Sequence, residues 1–174
     1  MKSDVAQTDT GNVSVQDRVV ILGLGNILQK DDGVGVRALR WLRADPEIAQ
    51  AADFIDGGTA SFTLLETIEK AQSLIVVDAV VLGGRPGDVC VFEGADMDRL
   101  LARPQAGSVH EVSLSEVMDM ARLCGGLPAR RALIGVQPEG ISWGDALSTP
   151  VQAALPQVAA AVGRVLKGWR DGPV

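Results

Sequence analysis

The side chains that can do chemistry in this chain are few, and most are acids. Asp31 and Asp32 stand together after the run RVVILGLGN at 18–26, and Asp78 interrupts the apolar run SLIVVDAVV at 73–81. Asp56 precedes Gly57-Gly58-Thr59, and His110 is the single histidine. A carboxylate inside so apolar a strand is costly unless paired, hydrogen-bonded or metal-bound. Carboxylates with one imidazole suit a divalent metal such as nickel or zinc. They are also groups that take up and release protons. Each has a plainer use as well. One of the paired acids can cap the following helix, leaving the other free for a site. Asp78 can bond a loop backbone, Asp56 can stabilise its turn, and His110 can cap a helix or lie at the surface.

Other chemistries lack their residues. Neither G-x-S-x-G nor H-E-x-x-H occurs. Cys90 falls in an expected strand and Cys124 at an expected helix end, where the dipole does not lower a thiol pKa. Both read as packing residues. Gly23-Leu24-Gly25 begins a dinucleotide fingerprint, but Leu28 replaces its third glycine and two acids follow where phosphate would sit. A nucleotide- or small-ligand-binding α/β protein is therefore the second reading, and a noncatalytic interaction protein the third.

These residues need elements that bring them together. Near-continuous Val/Ile/Leu runs at 18–24 and 73–81 predict central strands covered on both faces. Further strands are expected at 51–56, at 88–93 as an antiparallel edge, and at 131–137. Between them, apolar spacing predicts helices at 33–43, at 62–71 capped by Ser61, and at 113–123 ended by Gly125-Gly126. Residues 94–107 suggest a short helical turn and a loop. Thr149-Pro150 reads as the N-cap and N1 of a last helix, with Pro156 delaying its regular start by one turn. Asn26 is expected to hold the glycine turn through its side chain. Strands alternating with helices argue for an α/β fold with a mostly parallel sheet. The ends of the first and third strands then share one sheet edge, which puts Asp78 beside Asp31 and Asp32.

Composition narrows the rest. With 174 residues, one domain is expected, as residues 18–170, behind a loose polar leader at 1–17. Hydrophobic residues make up 47%, which suits a packed core rather than a disordered chain. A net charge of -6 argues against nonspecific nucleic-acid binding. No apolar run approaches membrane-spanning length, so no stable membrane insertion is expected. Two distant cysteines fit a reduced, cytoplasmic setting.

The motifs together resemble a known family. Gly23-Leu24-Gly25-Asn26-Ile27-Leu28, then Asp31-Asp32-Gly33-Val34-Gly35, is similar to the opening of the nickel–iron hydrogenase maturation endopeptidases. The resemblance continues through Asp56-Gly57-Gly58-Thr59, IVVDAV at 75–80, Ser108-Val109-His110-Glu111 with Leu114, LIGVQPE at 133–139 and Leu147-Ser148-Thr149-Pro150. It implies a single-domain three-layer α/β/α fold around a five-stranded, mostly parallel twisted sheet, phosphorylase/hydrolase-like. It implies an aspartyl-type endopeptidase that removes the C-terminal extension of the hydrogenase large-subunit precursor after nickel insertion, and so activates that enzyme. Nickel would be presented by the precursor rather than held as a resident cofactor. The implied nickel contacts are Asp32, Asp78 and His110, with Asp56 as an auxiliary group. The family's first-loop ligand is often glutamate, so Asp32 keeps the donor oxygen with a shorter reach.

Overall fold

The computed structural model describes residues 18–60, 62–103 and 113–171. Ser61 and His110 lie outside the described residues. The described chain is built on β1 (Val19–Leu24), which is buried at every position but Val20. It pairs in parallel with β2 (Ala52–Gly58) on one side and β3 (Ser73–Ala79) on the other. β5 (Arg130–Val136) extends the sheet in parallel from β3, and β4 (Val89–Glu93) closes it as an antiparallel edge. The order is β2-β1-β3-β5-β4. The expected five-stranded, mostly parallel sheet with an antiparallel edge is thus observed.

Helices cover both faces, giving three layers. One face carries α1 (Val34–Ala44), α2 (Pro46–Ala51) and α6 (Thr149–Asp171). There Ile21, Ile75 and Ile134 of the sheet meet Leu39 and Leu42 of α1, and Leu155 and Val162 of α6. The other face carries α3 (Leu65–Lys70), α4 (Ala95–Leu101) and α5 (Leu114–Leu123). There Leu22, Leu74, Val76 and Leu133 meet Ile68, Met97, Val117 and Met118. Alternate residues of each strand feed opposite cores, which is why the central strands read as unbroken apolar runs. Each fully buried Leu or Ile contributes about 1.5–3 kcal/mol relative to exposure.

Local details depart from the sequence expectations in instructive ways. Neither Asp31 nor Asp32 caps α1; both lie in a 3-10 turn (Lys30–Gly33), and Gly33 holds the N-cap position with no side-chain bond. Their carboxylates bond elsewhere, to loops. Pro46 acts as a restart: Asp45 caps α2 by accepting from the Glu47 and Ile48 amides. The helix expected from residue 62 begins with a 3-10 turn (Phe62–Leu64) before α3. Thr149 already lies inside α6, and Ser148 precedes it, its carbonyl accepting the Gln152 amide at 2.8 Å. The helix continues through Pro156 without a delayed start. Leu155, Val158 and Val162 around that proline are buried, and their packing offsets the lost backbone bond.

Two features set the positions of the loops that matter. Gly35, in the first turn of α1, sits where a Cβ would lie 2.0 Å from the Val77 carbonyl oxygen and 2.4 Å from that of Leu24. The helix start therefore rests directly on the ends of β1 and β3. On the opposite face, Asp98 of α4 accepts from Arg131 Nε at 2.9 Å and Nη2 at 2.6 Å, and pairs with Arg122 of α5 at 3.3 Å. These ties hold α4 and α5, which flank residues 104–112, to the start of β5. The Arg131 hydrogen bonds hold the Asp98 carboxyl below its ordinary pKa of 3.8, against a smaller opposing effect of burial.

Three substitutions test these ties. Gly35→Ala should cost more than about 3 kcal/mol in urea unfolding, because the methyl group meets backbone that cannot yield. Gly163→Ala, in α6 with nothing within 4 Å of the added carbon, should instead gain about 0.5–1 kcal/mol. Asp98→Asn should cost roughly 1–3 kcal/mol at neutral pH. A depressed folded pKa gives stability that is present above pH 3.8 and lost as pH falls through the folded value. The variant should therefore show a weaker loss of stability below pH 4 than the parent.

Candidate active site

The segment after β1 turns sharply because its glycines allow it. Gly25 has φ 118°, and a Cβ there would lie 1.7 Å from the Asp32 carbonyl oxygen. The turn thus folds back over itself. The Gly25 amide donates to the Gly58 carbonyl at 2.7 Å, tying the turn to the end of β2. The Asn26 side chain accepts from the Leu28 amide at 2.9 Å, which is the role expected of it. The Asn26 amide donates to Asp32 Oδ2 at 2.7 Å. A phosphate cradle needs such amides open to a ligand; here the protein's own carboxylate fills that place.

Asp32 is buried, 8% exposed, and its Oδ1 has no bonded partner among the described residues. Asp78 lies next to the last residue of β3, opposite Gly135 of β5. Its Oδ1 accepts the amide of Ala79 at 2.8 Å, and its Oδ2 also lacks a partner among the described residues. Since Gly23 of β1 pairs with Val77 of β3, Asp78 stands at the carboxyl ends of both strands, as the sequence suggested. The Asp32 charge is close enough to act on it. The Asp78 carboxyl is raised from 3.8 to about 7, chiefly by burial, with the Asp32 charge adding to the rise and the Ala79 amide opposing it. Although part of the residue surface is accessible, its carboxyl is desolvated where the strand ends crowd it.

The other candidates separate clearly. Asp56 pairs with Gly23 across β1 and β2, but it is exposed, and its Oδ1 accepts the Gly58 amide at 2.9 Å. That bond holds the strand-end turn. Cys90 lies half-buried in β4 and Cys124 is exposed beyond α5; both are free. Hydrogen bonding to Glu69 raises the Cys124 pKa, which disfavours its thiolate form. Among the described residues, no group of three His, Cys, Asp or Glu side chains is arranged to hold a metal ion.

Two further groups hold the loops around the site: Asp31, one of the paired acids, and Gln137, which was not singled out from the sequence. Asp31 is only 1% exposed and bonds the loop after β5. Gln137, at the end of β5, accepts the Leu82 amide at 2.7 Å and donates to the Pro138 carbonyl at 3.0 Å. It thereby braces the loop after β3. The signal for Gln137 was available: like Asp78, it is a polar residue closing an apolar strand. For Asp31 the residue was visible but its role was not, because its partners lie more than 100 residues away.

A mostly parallel α/β/α sheet with two half-bonded carboxylates at its carboxyl edge defines an α/β protein whose candidate site lies where such folds bind their ligands. Comparison with known proteins makes this specific. Residues 36–165 match the family model described as hydrogenase maturation protease. The hydrogenase expression/formation protein HupD of Rhizobium leguminosarum bv. viciae is 34% identical over 153 residues, covering 87% of this chain and 75% of that protein. The hydrogenase 2 maturation protease of Escherichia coli K12 is 32% identical over 150 residues, covering 83% and 90%. The solved hydrogenase maturating endopeptidase HybD from E. coli superposes with a TM-score of 0.77 at 28% identity, covering 87% of this chain and 93% of that one. The chain belongs to the hydrogenase maturation protease family, and its class of activity is peptide-bond hydrolysis.

The Asp78 carboxyl gives a measurable consequence for the metal-free protein. Between about pH 4 and 7 the folded state keeps a proton that the unfolded chain has released, so stability falls as pH rises across that window. Asp78→Asn should flatten this decline in denaturant melts recorded at stepped pH, and should be at least as stable as the parent at pH 8.

Proposed function

We propose that this chain removes the C-terminal extension of the precursor of a nickel–iron hydrogenase large subunit once nickel has been inserted. One observation supports this most: Asp32 and Asp78 lie together at the carboxyl edge of the sheet, each with one oxygen held by a backbone amide. The other oxygen of each has no partner among the described residues. Two oriented, half-bonded carboxylates are suited to meeting a cation that arrives with the substrate. His110, from the 104–112 segment flanked by α4 and α5, is the proposed third contact.

In this reading nickel is cargo of the substrate. Asp32, Asp78 and His110 engage it in the precursor, and this contact sets the scissile peptide against the site. Water adds to the peptide carbonyl, the C–N bond breaks, and the tail leaves as a free amine with the proton from water. A nickel-free precursor lacks that anchor, which orders cleavage after metal insertion. The reaction is assigned to the cytoplasm. Among the described residues no helix is long and apolar enough to cross a membrane, which fits an enzyme that meets its precursor in solution.

The test uses the full chain with nickel-loaded and nickel-free precursor, read by mass spectrometry of the released tail. Cleavage of only the loaded precursor is expected; no cleavage under competent loading refutes the proposal. Asp32→Ala, Asp78→Ala and His110→Ala should each slow cleavage by on the order of 10²-fold or more, through lost positioning. Unchanged rates in all three would reject these contacts.

A further inference from the structure

Asp31 is the most heavily bonded carboxylate in the described protein. Its Oδ2 accepts the amides of Glu139 at 2.9 Å and Gly140 at 3.3 Å, and the Ser148 hydroxyl at 2.8 Å. Its Oδ1 accepts the Ser148 amide at 2.7 Å. Both ends of the loop between β5 and α6 are therefore fastened to one side chain of the first turn. The middle is fastened as well. The Lys30 amide donates to the Gly144 carbonyl at 2.8 Å, and the Gly144 amide donates to the Leu28 carbonyl at 2.9 Å. Arg37 donates to the carbonyls of Ile27 and Asp145. Lys30 holds a left-handed φ of 47° to make its contact, with its side chain against Gly144.

So much bonding would suit a loop that buries something, yet this loop shows apolar side chains to water. Trp143 is 76% exposed and Ile141 53%; across the Leu28–Gly144 bonds, Leu28 is 55% and Ile27 46% exposed. Ile27 directly follows Asn26, whose amide holds Asp32. The patch is therefore continuous along the chain with the turn that holds Asp32, on ground a polypeptide bound at Asp32 can cover. An exposed tryptophan on a braced frame loses little freedom when covered, which is the property of a binding hot spot.

Resting on the proposed function, we propose that Asp31 is a positioning residue. It fixes the β5–α6 loop so that Trp143 and Ile141, with Ile27 and Leu28, form the surface on which an apolar segment of the protein substrate docks. The acids then act at a cleavage point set by that contact. The effect belongs to substrate capture, so it separates KM from kcat.

Trp143→Ser in the full chain should raise KM for the nickel-loaded precursor by about tenfold or more, with kcat within about twofold and an unchanged melting temperature. Asp31→Asn, which offers one acceptor oxygen instead of two, should raise KM similarly. It should also speed amide hydrogen exchange at Gly140, Gly144 and Ser148. If Asp31→Asn does not fold, Trp143→Ser decides alone. An unchanged KM in Trp143→Ser overturns the inference. So does an unchanged KM accompanied by loss of a dimer in sedimentation, since the patch would then seat a second copy. Failure of the parent protein to cleave overturns the proposed function and this inference together. Parent cleavage with an unchanged variant KM overturns only the inference.

Discussion

One close approach governs the site: the first turn of α1 lies directly on the carboxyl ends of β1 and β3, with no side chain between them. Gly35 meets the Val77 and Leu24 carbonyls there, and Gly23 faces Gly35 from below, where a Cβ would lie 2.5 Å from its carbonyl oxygen. Backbone packed on backbone leaves little freedom. The turn that connects β1 to α1 has nowhere to go but over the sheet edge. Asp32 is carried with it to the end of β3, where Asp78 stands. Any side chain at these glycines would lift the helix and separate the two acids.

The four carboxylates at this edge show how environment divides similar groups. Asp31 is buried and fully bonded, so it ties loops. Asp56 is exposed and bonded to its own turn, so it shapes the end of β2. Asp32 and Asp78 are each bonded at one oxygen only. Crowding by the strand ends and the Asp32 charge raise the Asp78 carboxyl to about 7. Partial satisfaction of buried polar groups is costly for a fold and is found where a ligand completes the set. That cost accords with a site awaiting a cation brought by its substrate, the reading proposed for this member of the hydrogenase maturation protease family.

Bracing is also uneven across the molecule. The loop after β5 is tied to the first turn by side-chain and main-chain bonds, and the loop after β3 is tied by Gln137. A site built on loops is usually less rigid than one built on strands. Here the loops borrow stiffness from one another, and the buried Asp31 supplies most of it. The same arrangement fixes which apolar side chains face water beside the acids.

Much of this was legible in the residues. Apolar runs interrupted by Asp78 predicted central parallel strands, because only strands covered on both faces need such runs. The alternation at 88–93 predicted the antiparallel edge. Ordered motifs from Gly23 to Pro150 carried the family resemblance, and the strand-end position of Asp78 placed it near Asp32. What the residues could not supply was the division of labour between neighbours. Asp31 and Asp32 are the same residue type, one position apart, and local rules cast either as a helix cap. Tertiary structure alone decided that neither caps α1. It sends one carboxylate to Glu139, Gly140 and Ser148 and the other to Asn26, because those amides arrive only when the sheet brings distant loops to one edge. Pro156 teaches the same lesson in the helix: local chemistry predicts a delayed start, and packing on the sheet carries α6 through it. Sequence determines periodicity and local turn chemistry through short-range sterics; which polar groups find partners is decided by long-range packing.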